Sequence, residues 1–162
     1  VLNHYQYVQF SDFSENPKIE DVYKGVEIIN NEKCDCCIII GGGSVMDMGK
    51  LICYLREETT SNPNLIVRNE LIHTERKIPI CAVPTTAGSG AESTHFAVVY
   101  IDNKKYSLSH HSILPDKVIL NPQLSFSMPS YLKAVTGIDA LAQGIESYWS
   151  KNATRYLSTR KK

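Results

Sequence analysis

Ile38-Ile39-Ile40-Gly41-Gly42-Gly43-Ser44-Val45-Met46-Asp47-Met48-Gly49-Lys50 is the stretch on which the fold turns. Three isoleucines behind Cys36-Cys37 predict a strand over residues 36–40, buried on both faces. Three glycines then let the backbone turn sharply and leave its N–H groups bare. A helix is expected at once, from about Val45 to Leu55, with Ser44 as its cap and Asp47 three residues on. A strand, a turn without side chains and a helix N-terminus together make a cradle for phosphate, because the amides point at the anion and the helix dipole favours negative charge. The same residues also suit a tight connection with no ligand, and Asp47 also suits a first-turn carboxylate that complements the dipole. The spacing is neither GxGxxG nor GxxxxGK[ST], and Lys50 lies too far along the helix to act as a P-loop lysine.

Composition narrows the classes. A chain of 162 residues has room for one domain, or one and part of a second. An apolar fraction of 43% supports a real core. Charges balance at 17 basic and 17 acidic residues, which argues against a nucleic-acid or acidic-membrane partner. No apolar run approaches the ~20 residues of a membrane span, and the start Val1-Leu2-Asn3-His4-Tyr5 has no signal-peptide pattern. Five cysteines, an odd number mostly in apolar surroundings, point to reduced thiols and a cytoplasmic protein. The group Cys34-Asp35-Cys36-Cys37 lacks a second ligand pair and leads into a strand, so no zinc site is expected there. The glycosylation-type triplet Asn152-Ala153-Thr154 carries no weight without a secretory signal.

Along the rest of the chain, Tyr5–Phe10 reads as a strand. Asn16-Pro17 reads as the cap and first position of a helix carrying Ile19, Val22, Tyr23, Val26 and Ile29. Residues 57–64 read as a loop and 65–73 as a short helix or irregular. Residues 78–83 form another apolar strand, and 95–102 with 105–108 a hairpin turning at Asn103-Lys104. A short strand at 117–120 stops at Asn121-Pro122. Two helices follow, 131–135 and 138–149, broken at Gly137, and the basic tail from Lys151 reads as a frayed end. The β-α-β-α order predicts an α/β fold, a Rossmann-like parallel-sheet domain over residues 1–128, with an all-helical second domain beginning at 129–162.

Two further motifs sit where ligands bind in such sheets. Pro84-Thr85-Thr86-Ala87-Gly88-Ser89-Gly90 follows a buried strand with small and hydroxyl residues that allow close approach. Those residues also suit a plain flexible turn. In Gly137-Ile138-Asp139-Ala140-Leu141-Ala142-Gln143-Gly144-Ile145-Glu146, the polar Asp139, Gln143 and Glu146 share one helical face.

In this order the motifs resemble the iron-containing (group III) alcohol dehydrogenase family, whose pattern is GGGSxxDxxK, then PTTAGTGSE, then GxDALxHxxExYxS. The resemblance runs from about Asn16 to Ser150. It implies hydride transfer between NAD(P)H and a small aldehyde or alcohol. It also implies a coenzyme site made of Gly41, Gly42, Gly43 and Ser44 at the pyrophosphate, Asp47 by the nicotinamide end, and Thr85, Thr86, Ser89, Thr94, Lys105 and Leu124 around it. Asp139 would be the first ligand of a divalent metal, iron or zinc, and catalytic residues stay unassigned. The family's next ligand, a histidine, is Gln143 here. An amide oxygen is a weaker transition-metal ligand than imidazole, so poor metal retention is expected. Residues 94–100, 105–107 and 139–143 resemble the phosphonoacetaldehyde reductase branch, which implies phosphonate metabolism. Relative to the family the chain looks truncated, without the first βα unit and most of the helical domain. That leaves open a nucleotide-binding piece without turnover, or an oligomerising scaffold with a vestigial cradle; a homodimer is the oligomer to expect.

Overall fold

The computed structural model describes residues 5–57, 62–68 and 76–151. The expectations for 58–61, for 69–73 and for the tail beyond 151, including Asn152, lie outside the described residues. Helix α1 (Ile19–Asn31) leads into strand β1 (Cys37–Gly41), helix α2 (Gly43–Leu55) and the short α3 (Pro63–Arg68). Strand β2 (Ile80–Pro84) follows, then a hairpin of β3 (Phe96–Ile101) and β4 (Lys104–Ser109), strand β5 (Lys117–Val118) and helix α4 (Ser130–Trp149).

Strands β1, β2 and β5 form a parallel sheet in that order, with Ile39 level with Ala82 and Gly41 level with Pro84. Parallel strands bring the turns after β1 and β2 to one edge. Helix α2 lies on the sheet and takes α1 and the hairpin on its other sides, so it is buried over most of its surface, from Met46 and Met48 to Leu55. The hairpin turns through Asp102 and Asn103, both at positive φ (49° and 61°), as a two-residue loop between right-twisted strands requires.

Several local expectations change. The triple isoleucine is not buried on both faces. Ile39 is 3% exposed under α2, whereas Ile38 and Ile40 are 53% and 59% exposed. Alternation puts them on the opposite face, which stays open above both. Residues 5–10 form no strand; Phe10 instead packs on the core beside Phe13. Asn16 does not cap α1. It sits at φ 64°, and Lys18 occupies the N-cap without a side-chain bond. The reason is tertiary: the Pro17 carbonyl accepts the Tyr100 N–H at 2.7 Å, which ties this segment to β3. Gly137 does not break a helix, and α4 runs unbroken for 20 residues. Nothing lies within 4 Å of where a Gly137 Cβ would be, so that glycine costs about 1 kcal/mol of helix propensity and no hydrogen bond.

An ionic clamp that sequence reading did not anticipate aligns β2 with β5. The Asp116 carboxylate accepts the Ile80 N–H at 2.6 Å and pairs with Arg76 at 2.8 Å, while the Asp116 N–H donates to the Ile80 carbonyl. Arg76, its side chain 8% exposed, also donates to the carbonyls of Ser112, Ile78 and Leu114. The Arg76 guanidinium holds the Asp116 carboxyl below its usual range. A lowered folded-state pKa gives stability that is present above the unfolded value, about 3.9, and is lost as pH falls through the folded one. Asp116→Asn is therefore expected to lower stability at pH 7 by about 1 kcal/mol, modest because the side chain is half-exposed. Urea midpoints of variant and parent should converge below pH 3; a constant difference would show that the charge is irrelevant.

Candidate functional site

The glycine turn and the threonine-serine turn meet at the edge where β1 and β2 end. The Thr85 N–H donates to the Gly41 carbonyl at 2.9 Å, which locks the two turns together. A Cβ on Gly42 would lie 3.3 Å from Thr86 Cγ2 and Oγ1, and one on Gly43 would lie 3.3 Å from Ser89 Oγ. The N-cap of α2 is Gly42, not Ser44, which sits inside the first turn. No side chain caps this helix. Its first amides therefore lack the partner that a serine cap would have supplied, at the positive end of the helix dipole.

Asp47 and Lys50 stand one turn further on. Asp47 Oδ2 accepts the Val98 N–H at 3.1 Å, so this carboxylate bolts the hairpin to α2. Burial pushes the Asp47 carboxyl above its usual range, against the pull of the Val98 N–H and the charges of Lys50 and Lys105. A raised carboxyl pKa means stability that is complete below the unfolded value and lost as pH rises through the folded one, so ionised Asp47 opposes folding at pH 7. Asp47→Asn keeps an oxygen for Val98 and sheds the charge; its stability at pH 7 is expected within about 1 kcal/mol of the parent. Asp47→Ala strands the Val98 N–H and is expected to cost about 1–3 kcal/mol. Equal losses in urea unfolding for both variants would contradict this assignment.

Lys50 is fully buried and donates to the carbonyls of Ala91 (2.8 Å) and Phe96 (2.5 Å) and to Thr94 Oγ1 (3.2 Å). Burial lowers its pKa, with Asp47 and Glu92 acting the other way. Sequence reading set Lys50 aside for lacking P-loop geometry. The available signal was its place four residues after Met46 and three before Cys53, a cation on the buried stripe of α2. Thr94 is thus engaged by Lys50, and Lys105 acts on Asp47 from β4. Leu124 lies in a short 3-10 segment, residues 122–125, 38% exposed.

The helix that carries the third motif comes close to this edge at Gly88. Gly88, at φ 132°, runs so close to the Thr136 carbonyl that a Cβ there would collide with it. Only glycine holds that backbone angle and that approach together. Asp139 is exposed on α4, where it accepts the Gln143 amide N–H at 3.1 Å. Among the described residues no group of three or more His, Cys, Asp or Glu side chains could hold a metal ion. Asp139 beside the Gln143 amide supplies too few ligands to hold a metal by itself.

A parallel sheet with a glycine turn, an uncapped helix and a second small-residue turn at one edge is a Rossmann-like α/β domain. The iron-containing alcohol dehydrogenase family model matches residues 2–122, and the chain belongs to that family. It is 38% identical over 145 residues to the probable alcohol dehydrogenase EutG of Escherichia coli, covering 88% of this chain and 36% of that protein. It resembles the crystal structure of sulfoacetaldehyde reductase from Bifidobacterium kashiwanohense, solved with NAD+, at 35% identity and a TM-score of 0.82, covering 88% of this chain and 38% of that one. An iron-containing alcohol dehydrogenase from Thermotoga maritima superposes with a TM-score of 0.78 at 32% identity, over 91% of this chain and 40% of that one. The chain therefore spans well under half the length of these relatives. No helix among the described residues is long and apolar enough to cross a membrane.

Proposed function

We propose that this chain is the coenzyme-holding part of an NAD(P)-dependent oxidoreductase that moves a hydride between the nicotinamide and a small aldehyde or alcohol. One observation carries the reading: no side chain caps α2, and its glycine N-terminus meets the Thr86 and Ser89 side chains at the edge where β1 and β2 end. In this reading Gly41, Gly42, Gly43 and Ser44 hold the diphosphate at the helix N-terminus, and Thr85, Thr86 and Ser89 contact it from the second turn. Thr94, Lys105 and Leu124 border the site, and Asp47 stands toward the nicotinamide end. When bound, the coenzyme supplies the hydride; the chain binds it, orients it and excludes water. Residues 129–162 open a second, helical domain in this reading.

The substrate class within this reading is a short aldehyde carrying an anionic head, phosphonoacetaldehyde being the one implied by the resemblance of residues 94–100, 105–107 and 139–143. Similarity to a sulfoacetaldehyde reductase supports that class, since sulfonate and phosphonate are both compact anions. Fluorescence titration with NADH and NADPH tests the coenzyme site, and saturable binding is expected. Oxidation of NAD(P)H by a panel of short aldehydes, with and without sulfonate or phosphonate, tests the reaction. Binding without turnover on any aldehyde identifies a nucleotide-binding piece alone; absence of binding overturns the reading.

A further inference from the structure

Helix α2 returns along β1 from the glycine turn, so the two elements pair residues at matched intervals. A Cβ on Gly49 would lie 2.6 Å from the Ile39 side chain, which shows how closely helix and strand approach. Four residues on along the helix, about 6 Å, is Cys53, on the same face. Two residues back along the strand, about 6.6 Å, is Cys37, also on the same face as Ile39. The two advances match, so the Cys37 and Cys53 side chains meet, and they do interact thiol to thiol. Cys53 is fully buried; Cys37, packed on the rim of the core, keeps partial access to solvent. All five cysteines are free.

We propose that Cys37 and Cys53 form a peroxide-sensitive dithiol that closes to a disulfide between β1 and α2. In the first step the Cys37 thiolate attacks hydrogen peroxide. The O–O bond breaks, sulfur becomes a sulfenic acid, two electrons pass to the oxidant, and the hydroxide that leaves takes up the proton the Cys37 thiol had released, as one water. In the second, the Cys53 sulfur attacks the Cys37 sulfur, the S–O bond breaks, and the departing hydroxide takes the Cys53 proton as a second water. The environments divide the roles. The Cys53 thiol and the Arg76 charge favour the Cys37 thiolate, whereas burial and the Asp35 charge disfavour that of the more exposed Cys36. Cys53, hydrogen-bonded to Cys37 and buried, keeps its proton until the sulfenic acid forms.

The test treats the whole chain with hydrogen peroxide, blocks remaining thiols and digests with trypsin, which cuts after Lys33, Lys50 and Arg56. A cross-link is expected between fragments 34–50 and 51–56, removed by reductant and assigned to Cys37 by fragmentation. Cys36→Ser should keep it. Cys53→Ser should abolish it and leave Cys37 as the cysteine whose sulfenic acid dimedone labels. A bridge inside 34–50, such as Cys34 to Cys37, would overturn the proposal, as would dimedone labelling of Cys36 in preference to Cys37, or no cross-link. Should Cys53→Ser fail to fold, the peptide map of the unaltered protein decides by itself.

Discussion

Replacing Gly42 by valine should weaken NADH binding at least about a hundredfold, a loss of about 2.7 kcal/mol, while the fold survives. The backbone at Gly42 has φ −85° and ψ −170°, extended geometry open to any residue, so the substitution meets no backbone strain. Its Cβ would sit 3.3 Å from Thr86, tight but tolerable. The two γ-methyls reach further, across the helix N-terminus where the proposed diphosphate would lie. The loss should therefore appear in the fluorescence titration and not in the urea midpoint. Gly137→Ala is the control: its Cβ enters open space, so binding should hold and helix stability should rise by about 1 kcal/mol. Unchanged NADH affinity in Gly42→Val would remove the coenzyme site from this edge.

Lys50→Ala should be the most destabilising single change in the core, costing about 3–5 kcal/mol out of a typical 5–15. It removes three donated hydrogen bonds at once, leaves the Ala91 and Phe96 carbonyls only long contacts from Thr94, and leaves a cavity where a side chain is 0% exposed. Lys50→Met separates these causes. It restores most of the volume without the donors, so it should recover the cavity part and keep the cost of two under-bonded carbonyls, about 1–3 kcal/mol in all. Because Lys50 also pins the segment after Ser89, both variants should weaken NADH binding along with the fold. A loss under about 1 kcal/mol for Lys50→Ala would show that water reaches these carbonyls.

Local pattern was enough wherever one residue type met one backbone demand. The isoleucine run, the glycine turn and the periodic apolar residues of α1 and α2 announce strand, turn and helix at nearly the observed places. Their order alone leads to the parallel sheet, and that sheet brings the Gly41–Ser44 and Thr85–Ser89 turns to one edge. Errors fell where a residue answered to a distant partner. Asn16 looked like a cap because the sequence around it does not reveal that Pro17 is held by Tyr100. Gly137 looked like a breaker because propensity is a small local term, outweighed by continuous helical hydrogen bonding on both sides.

The amino-acid order was sufficient for the alternation of strands and helices and for the bare turn after β1, since these depend on side-chain periodicity and on whether a Cβ is present. It could not assign Lys50 its carbonyls, Asp47 its amide or Arg76 its carboxylate, because these partners lie 40 to 51 residues apart in the chain. Nor could it show that only one face of β1 is covered. Such pairings exist only once packing brings remote segments together in a medium of low polarity, where each buried polar group must find whichever partner the fold sets beside it.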